Sequence, residues 1–324
     1  MKAVVYERYG GPEVLRFADV PTPVPGRGEV LIRIHATTVT AGDWRMRSLD
    51  LPAGFGLLGR LAVGVTGPRR PILGSELSGV ITEVGSEVTQ FKPGDEVFAF
   101  PGVRMGCHAE LRCMPQDGTI ARKPANLSHA EAAALSFGGT TALYFLRKGK
   151  IAAGDQILVN GASGAVGTAA VQLAKHLGAE VTAVCSGGNA DLVRSLGADH
   201  VIDYTKEDFT RNGRTYDAIM DTAGTAPFAR SRTSLRDGGR LLLVLGGLRD
   251  VLGAPWVALT DSRRVIGGTV RTTAADLQFL ADLAERGELK PVVDRTYPFE
   301  EIAEAHRYVD TGRKRGNVVI TLQA

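Results

Sequence analysis

The stretch VNGASGAVGTAAVQLAK, residues 159–175, constrains the fold of this chain more than any other. A short apolar run, QILVN, enters a glycine-rich turn, and the turn opens directly into a helix-forming segment. Such a turn lets backbone N–H groups approach a phosphate, while the helix N-terminus supplies partial positive charge. The order of strand, glycine turn and helix therefore predicts a βαβ unit that holds a dinucleotide pyrophosphate. The loop Gly161–Gly167 reads A-x-G-x-x-G, with Ala162 at the first glycine position of the usual fingerprint. Gly164 is expected to give the backbone access to the pyrophosphate, and Gly167 to let helix and strand pack closely.

The surroundings supply the context this motif needs. From Asp155 onward, β-like runs (QILVN, EVTAVC, HVIDY, YDAIMDT, GRLLLVLG, RRVIGGTV) alternate with helical segments, including ADLVRSLG and a stretch near KEDFTR. Alternation of this kind predicts a parallel, doubly wound sheet covered on both faces. Before Lys123 the chain instead carries short β runs (KAVVYE, EVLIRIHATTV, LSGVITEVG, EVFAF, AELRCM) separated by the turns PGRGE, VGSE and KPGDE. These predict a partly closed antiparallel β-domain. A helix starts at Ser128, with Glu131 completing a capping box. The C-terminal part predicts helices at TAADLQFLADLAERG and FEEIAEAHRYVDTG and a last strand at NVVITL.

The second strand of a dinucleotide fold usually ends in an acid that binds the ribose hydroxyls, about twenty residues after the loop. Here that position falls in residues 183–189, AVCSGGN, where no acid occurs. An acid would repel a 2′-phosphate, so NADPH is expected in preference to NADH. Ser186 and Tyr204 are candidates for the phosphate, with Arg194, Lys206 or the Arg313–Arg315 cluster as its cation.

Bulk properties narrow the partners. A net charge of +3 argues against nucleic acid or an anionic membrane as partner. The most apolar stretch, Leu51 to Val65, is broken by four glycines, a proline and Arg60, so no membrane span is expected. With no signal-peptide pattern and three cysteines, the expectation is a cytoplasmic protein without disulfides. Cys107, His108 and Cys113 read as strand packing rather than a metal site. No serine sits in a G-x-S-x-G elbow, so a hydrolase has no support.

The segments GDEVFAF, AAALSFGGTTAL, GASGAVGTAAVQLAK, LVRSLGADHVIDYTKEDF and AHRYVDTGRKRGNVVI, in this order along the chain, resemble the medium-chain dehydrogenase/reductase superfamily, nearest its zinc-independent quinone oxidoreductases. The resemblance implies a GroES-like β-domain built from both chain ends (1–123 and 271–324) around a Rossmann domain (124–270). It also implies a homodimer formed through the Rossmann sheet edge. It assigns Ser163, Gly164, Ala165 and Val166 to the pyrophosphate and Ser186 and Tyr204 to the adenosine phosphate. It further assigns Thr222 and Gly224 to the adenine edge and Leu245, Gly246 and Gly247 to the nicotinamide ribose. Arg313 becomes a C-terminal basic contact, and Thr141 a positioning residue beside the nicotinamide.

Two departures from the family stand out. The early active-site loop reads Thr40-Ala41-Gly42-Asp43-Trp44, with Thr40 in place of the usual Asn. Asp43 fits either a catalytic position or a helix cap. The second departure is the apolar insert 51–68, where Phe55, Leu57, Leu58 and Leu61 form either a lid over the substrate, a surface loop or a dimer contact. Thr40, Trp44, Phe55 and Leu58 are the candidate substrate-pocket residues. The zinc relatives use a G-H-E motif, but this chain reads Gly74-Ser75-Glu76, and Ser75 is a poor metal ligand. The expected activity is zinc-free transfer of hydride from NADPH to quinones or α,β-unsaturated carbonyl compounds. The alternatives are an NADPH-binding sensor or structural protein, and a zinc alcohol dehydrogenase with unusual ligands.

Overall fold

Six runs rich in Val, Ile, Leu and Ala form one sheet: β1 (Gln156–Asn160), β2 (Glu180–Cys185), β3 (His200–Asp203), β4 (Tyr216–Asp221), β5 (Leu235–Leu243) and β6 (Arg264–Ile266). The computed structural model describes residues 1–51 and 53–322, apart from the side chains of Leu57, Leu58 and Val251. The strand order is 3-2-1-4-5-6, and every pairing is parallel. Ile157, Leu158, Val159, Val181, Ala183, Ile219 and Met220 are all buried, because helices or loops cover both faces. Helix Ala165–His176 places Ala170, Leu173 and Ala174 against one face. The order reverses between β1 and β4, whose C-terminal residues Asn160 and Asp221 are register partners. In a doubly wound sheet that point opens the ligand crevice.

The helix expected near Lys206–Arg211 does not form, and residues 204–215 are turns. Local side-chain hydrogen bonds win there. Asp203 accepts from both the N–H and the hydroxyl of Thr205, Asp208 does the same with Thr210, and Asn212 accepts from the N–H of Arg214. Three such turns in a row hold the backbone out of the helical ladder. The capping box at Ser128 and Glu131 is present, but the helix it starts breaks at Ala134–Leu135 into His129–Ala133 and Ser136–Lys148.

A second, seven-stranded sheet runs Val293–Pro298, Asn317–Thr321, Glu29–Val39, Leu77–Val84, Glu96–Ala99, Ile120–Arg122, with Leu111–Pro115 also pairing to Glu29–Val39. Both chain ends build this GroES-like sheet: Val318 lies opposite Val39, and Ile320 opposite Thr37. The runs before Lys123 pair antiparallel as expected, and the parallel pairing comes at the C-terminal edge, where Val293–Pro298 runs alongside Asn317–Thr321 because helix Ile302–Asp310 crosses over between them. Between the two sheets, helix Ala274–Glu285 sends Leu277, Leu280 and Leu283 into the core that backs β1 and β2. Among the described residues, no helix is long and apolar enough to cross a membrane.

Candidate functional site

The glycine-rich turn is built as its chemistry requires, with one correction. Gly161, not position 162, makes the tight turn: it has φ +82°, in the left-handed region that favours glycine. Ala162 is buried, and its N–H shares the Val184 carbonyl with that of Gly161. A Cβ at Gly167 would lie 2.2 Å from the Gly161 carbonyl oxygen and 2.7 Å from Ala162 backbone atoms. A Cβ at Gly164 would meet only the Gly161 carbonyl oxygen, at 3.6 Å. Gly167 therefore seals helix to strand, while Gly164 leaves open space in front of the helix N-terminus. The first-turn amides of helix Ala165–His176, which include Ala165 and Val166, have no carbonyl partner within the helix. This cradle fits a dinucleotide pyrophosphate.

Ser186 caps a short turn after β2, and Asn189 donates to both Ser163 Oγ (3.1 Å) and Ser186 Oγ (3.2 Å). The Oδ1 of Asn189 is buried without a partner. Tyr204 is exposed beside these residues, its N–H bonded to the Cys185 carbonyl. The structure brings in an acid that the linear reading missed. A Cβ at Gly187 would lie 2.5 Å from Asp203 Oδ2, so the end of β3 reaches the end of β2. That carboxylate already accepts from Thr205, and Lys206 stands 3.9 Å away.

At the switch point the buried Asp221 accepts hydrogen bonds from Asn160 Nδ2 and from the N–H groups of Ala223, Gly224 and Ala226, at 2.8–3.1 Å. It organises the loop after β4 and was not singled out from sequence. Thr222 spends its hydroxyl on the carbonyls of Asn160 and Gly161, so it shapes the turn locally. Gly224 has φ +73° and packs on Leu245. Gly246 and Gly247 follow, and Gly247 caps helix Leu248–Thr260. The Leu248 N–H bonds Ala53 of the insert at 2.9 Å, so the insert bridges from the β-domain to the loop after β5. Phe55 is half-buried at the start of its helix, Gly56–Val63, and Leu61 is exposed. The side chains of Leu57 and Leu58 lie outside the described part. Gly316 bonds the Ser163 carbonyl at 2.8 Å, which sets the exposed Arg313 within a few residues of the loop.

The N-terminal turn of helix Ser136–Lys148 joins the two halves of the site. Gly138 packs against the Ala165 carbonyl, where a Cβ would lie 2.3 Å away. Phe137 sits against Gly42, and its N–H bonds the buried Glu76. Thr140 spends its hydroxyl on the Ser136 carbonyl at 2.7 Å, whereas Thr141, one turn on from Phe137, is buried with no hydrogen bond to its hydroxyl among the described residues. Thr40, not Asp43, is the cap of helix Ala41–Ser48; Asp43 is its capping-box partner three residues on, and its carboxylate accepts from Thr40 N (2.8 Å), Thr40 Oγ1 (2.6 Å) and, from outside the helix, Gly74 N (2.8 Å). Trp44 packs into the β-domain core, with Arg45 over its ring. Ser75 is buried, and its hydroxyl has no partner.

Zinc needs several thiolate, imidazole or carboxylate donors converging on one point. Among the described residues, no three His, Cys, Asp or Glu do so. Asp43 has both oxygens engaged, one by Thr40 and one by the Gly74 N–H, and the donor set does not fit a catalytic zinc.

Glu76 also accepts from the Thr38 hydroxyl. Burial pushes its carboxyl from the ordinary 4.5 up to about 8, against the pull of its two hydrogen bonds. It is therefore protonated at neutral pH. A carboxyl raised in the folded state stabilises below its unfolded value, and that stability is lost as pH rises through the folded one. Urea midpoints of the wild type should fall between about pH 4.5 and about pH 8, and Glu76→Gln, which cannot ionise, should flatten that fall. Parallel slopes in both proteins would contradict a buried neutral Glu76.

Residues 26–150 match the alcohol dehydrogenase GroES-like domain, and residues 196–320 match the zinc-binding dehydrogenase domain. A chloroplastic quinone-oxidoreductase of Triphysaria versicolor is 32% identical, over 99% of this chain and 98% of its own length. A 2-methylene-furan-3-one reductase of Solanum lycopersicum is 33% identical, over 99% of this chain and 79% of its own length. The quinone oxidoreductase of Coxiella burnetii superposes with a TM-score of 0.88 at 29% identity, covering 100% of this chain and 99% of that one. With two such sheets, this glycine-rich cradle and these relatives, the chain belongs to the medium-chain dehydrogenase/reductase superfamily, in its quinone-oxidoreductase-like branch, and is an NAD(P)H-dependent oxidoreductase.

Proposed function

We propose that this protein reduces quinones and α,β-unsaturated carbonyl compounds with NADPH and without zinc. The observation that carries the reading is a dinucleotide cradle joined through the start of helix Ser136–Lys148 to the early loop, next to two hydroxyls left without a hydrogen bond. Thr141 and Ser75 are buried with no hydrogen bond to either hydroxyl, while the nearby carboxylate of Asp43 is fully engaged. The bound nicotinamide supplies a hydride. The amides of the Gly161–Gly167 loop hold the pyrophosphate, and Thr141 positions the reactive ring. The Ser75 hydroxyl donates to the oxygen on which charge develops, a task that in zinc relatives falls to the metal. The insert excludes water from the cleft mouth, and the proton comes from solvent. Ser186, Asn189 and Tyr204 receive the 2′-phosphate, with Arg313 as its cation, while Lys206, 3.9 Å from Asp203, offsets the carboxylate at the end of β3.

Following NADPH consumption with quinones, enones and aldehydes tests this. Turnover is expected on quinones and enones and not on aldehydes, with NADH at least about tenfold poorer in kcat/KM, the worth of one charge-assisted contact. An equal or better rate with NADH would overturn the assignment of Ser186 and Asn189.

The same reading includes a homodimer. The outer edge of β6 ends the sheet, and the neighbouring helix Leu248–Thr260 exposes Leu252, Trp256 and Leu259 in a row. A second copy pairing at this edge would cover them. Light scattering should give twice the chain mass, and Trp256→Glu should halve it. A wild-type mass of one chain would rule the dimer out.

A further inference from the structure

The missing helix between β3 and β4 leaves a second opening, at the opposite end of the parallel sheet from the glycine-rich loop. Gln156, Glu180, His200 and Tyr216 are the first residues of β1, β2, β3 and β4, and they line a cavity of about 380 Å³ together with Thr182, Arg214 and Arg236. The carboxylates in and around it are already paired. Glu180 accepts from His200 Nε2 at 2.8 Å and from Gln156 Nε2 at 2.9 Å. Asp217 accepts from Arg236 Nη1 at 2.7 Å and from the Gln156 N–H at 2.8 Å. Glu207, outside the cavity, accepts from Asn212.

Two groups remain unanswered. The Arg214 guanidinium is exposed and has no hydrogen bond or carboxylate partner among the described residues; only its backbone N–H is engaged. Tyr216 is 3% exposed, and its hydroxyl is buried with no hydrogen-bond partner within 3.5 Å; Thr182 and Asn212 lie close enough to offset part of the effect of its burial. Burial raises its phenol, so the group is an O–H donor at neutral pH. A buried donor left unmade is costly, and a ligand oxygen that answers it recovers that cost. The unpaired charge is a planar cationic fork, the shape that suits carboxylate or phosphate oxygens.

We propose that this cavity binds a small oxyanion, a carboxylate or phosphate group held by the Arg214 guanidinium and the Tyr216 hydroxyl. The site is separate from the dinucleotide crevice: β1 starts at the cavity with Gln156 and reaches the crevice only at Asn160.

The full chain, isotopically labelled, can be titrated by NMR with inorganic phosphate and, separately, with acetate, using chloride as the ionic-strength control. Phosphate also visits the glycine-rich loop, so the amides of residues 163–167 are followed beside those of 182 and 214–216. Saturable shifts are expected at the second group. Arg214→Gln should weaken them about tenfold and Tyr216→Phe several-fold, as expected for charge-assisted bonds. Residues 163–167 should respond alike in all three proteins. Saturation by phosphate alone or by acetate alone supports the site and identifies its ligand class. Shifts confined to residues 163–167, shifts equal to those in chloride, or affinities unchanged by both substitutions overturn it. Arg214 is exposed and Tyr216→Phe removes a single oxygen, so both variants retain the core.

Discussion

Gly164→Ala folds like the wild type but loses at least about a hundredfold in NADPH affinity, whereas Gly167→Ala loses both affinity and stability. The two glycines lie three residues apart in one loop, and their surroundings separate the effects. At Gly164 the added carbon meets one protein atom at an ordinary 3.6 Å, and the backbone φ of −82° suits any residue. The methyl fills space that the pyrophosphate needs, so the loss falls on the ligand. Displacing two charge-assisted hydrogen bonds accounts for about two orders of magnitude or more. At Gly167 the carbon would sit 2.2 Å from the Gly161 carbonyl oxygen, and backbone cannot swing aside as a side chain does. The helix must leave the strand, costing about 1–3 kcal/mol as overpacking does. Thermal unfolding and cofactor titration of both variants check this. Equal affinity in Gly164→Ala and wild type would mean that the pyrophosphate does not lie on this loop.

Arg47→Ala should destabilise the protein by about 3–5 kcal/mol, the cost of removing one partner from a buried charged network. The Arg47 side chain has no exposed surface. It donates to His306 Nδ1 at 2.8 Å, to Asp310 Oδ2 at 2.5 Å and to the Gly10 carbonyl at 3.2 Å. One side chain thus ties the N-terminal segment, the helix Ala41–Ser48 after the active-site loop and the helix Ile302–Asp310 near the C-terminus. Burial, with the nearby His108 and Arg47 charges adding to it, pushes the His306 imidazole well below its ordinary value, so it is neutral and accepts through Nδ1. Arg47→Met refills most of the volume and should recover only part of the loss, since His306 and Gly10 keep no donor. Urea unfolding decides the matter, and a loss below about 1 kcal/mol in Arg47→Ala would show that the network is not a strut.

Much of the architecture is legible in the sequence because its signals are local. Strand, glycine turn and helix follow one another at residues 156–176, and the apolar runs of the parallel sheet are continuous because both faces are buried. Other features depend on residues brought together from afar. The turn glycine is Gly161 rather than the fingerprint position, a backbone angle that spacing does not reveal. Asp203 reaches the end of β2 from the neighbouring strand, so a search confined to residues 183–189 passes over it. The turns at 204–215 were readable in principle: DYT, DFT and NGR each offer the side chain a local backbone partner, yet helical propensity alone conceals them. Asp43 fits two roles in sequence, and the structure gives it a third: it closes the capping box of Thr40 and also accepts from the distant Gly74 N–H, a partner that spacing does not reveal. Arg47, Glu76 and Asp221 look like surface polar residues in one dimension, and their burial follows from tertiary packing.

The most direct test of the central claim is product labelling by metal-free protein. The protein is stripped with chelator, verified to hold no zinc, and given an enone with NADPH deuterated at the transferable position. Deuterium on the β-carbon of the saturated product, at the rate of untreated protein, is the predicted result. Turnover that vanishes on stripping and returns with zinc would contradict it, as would NADPH that binds while no label reaches any acceptor.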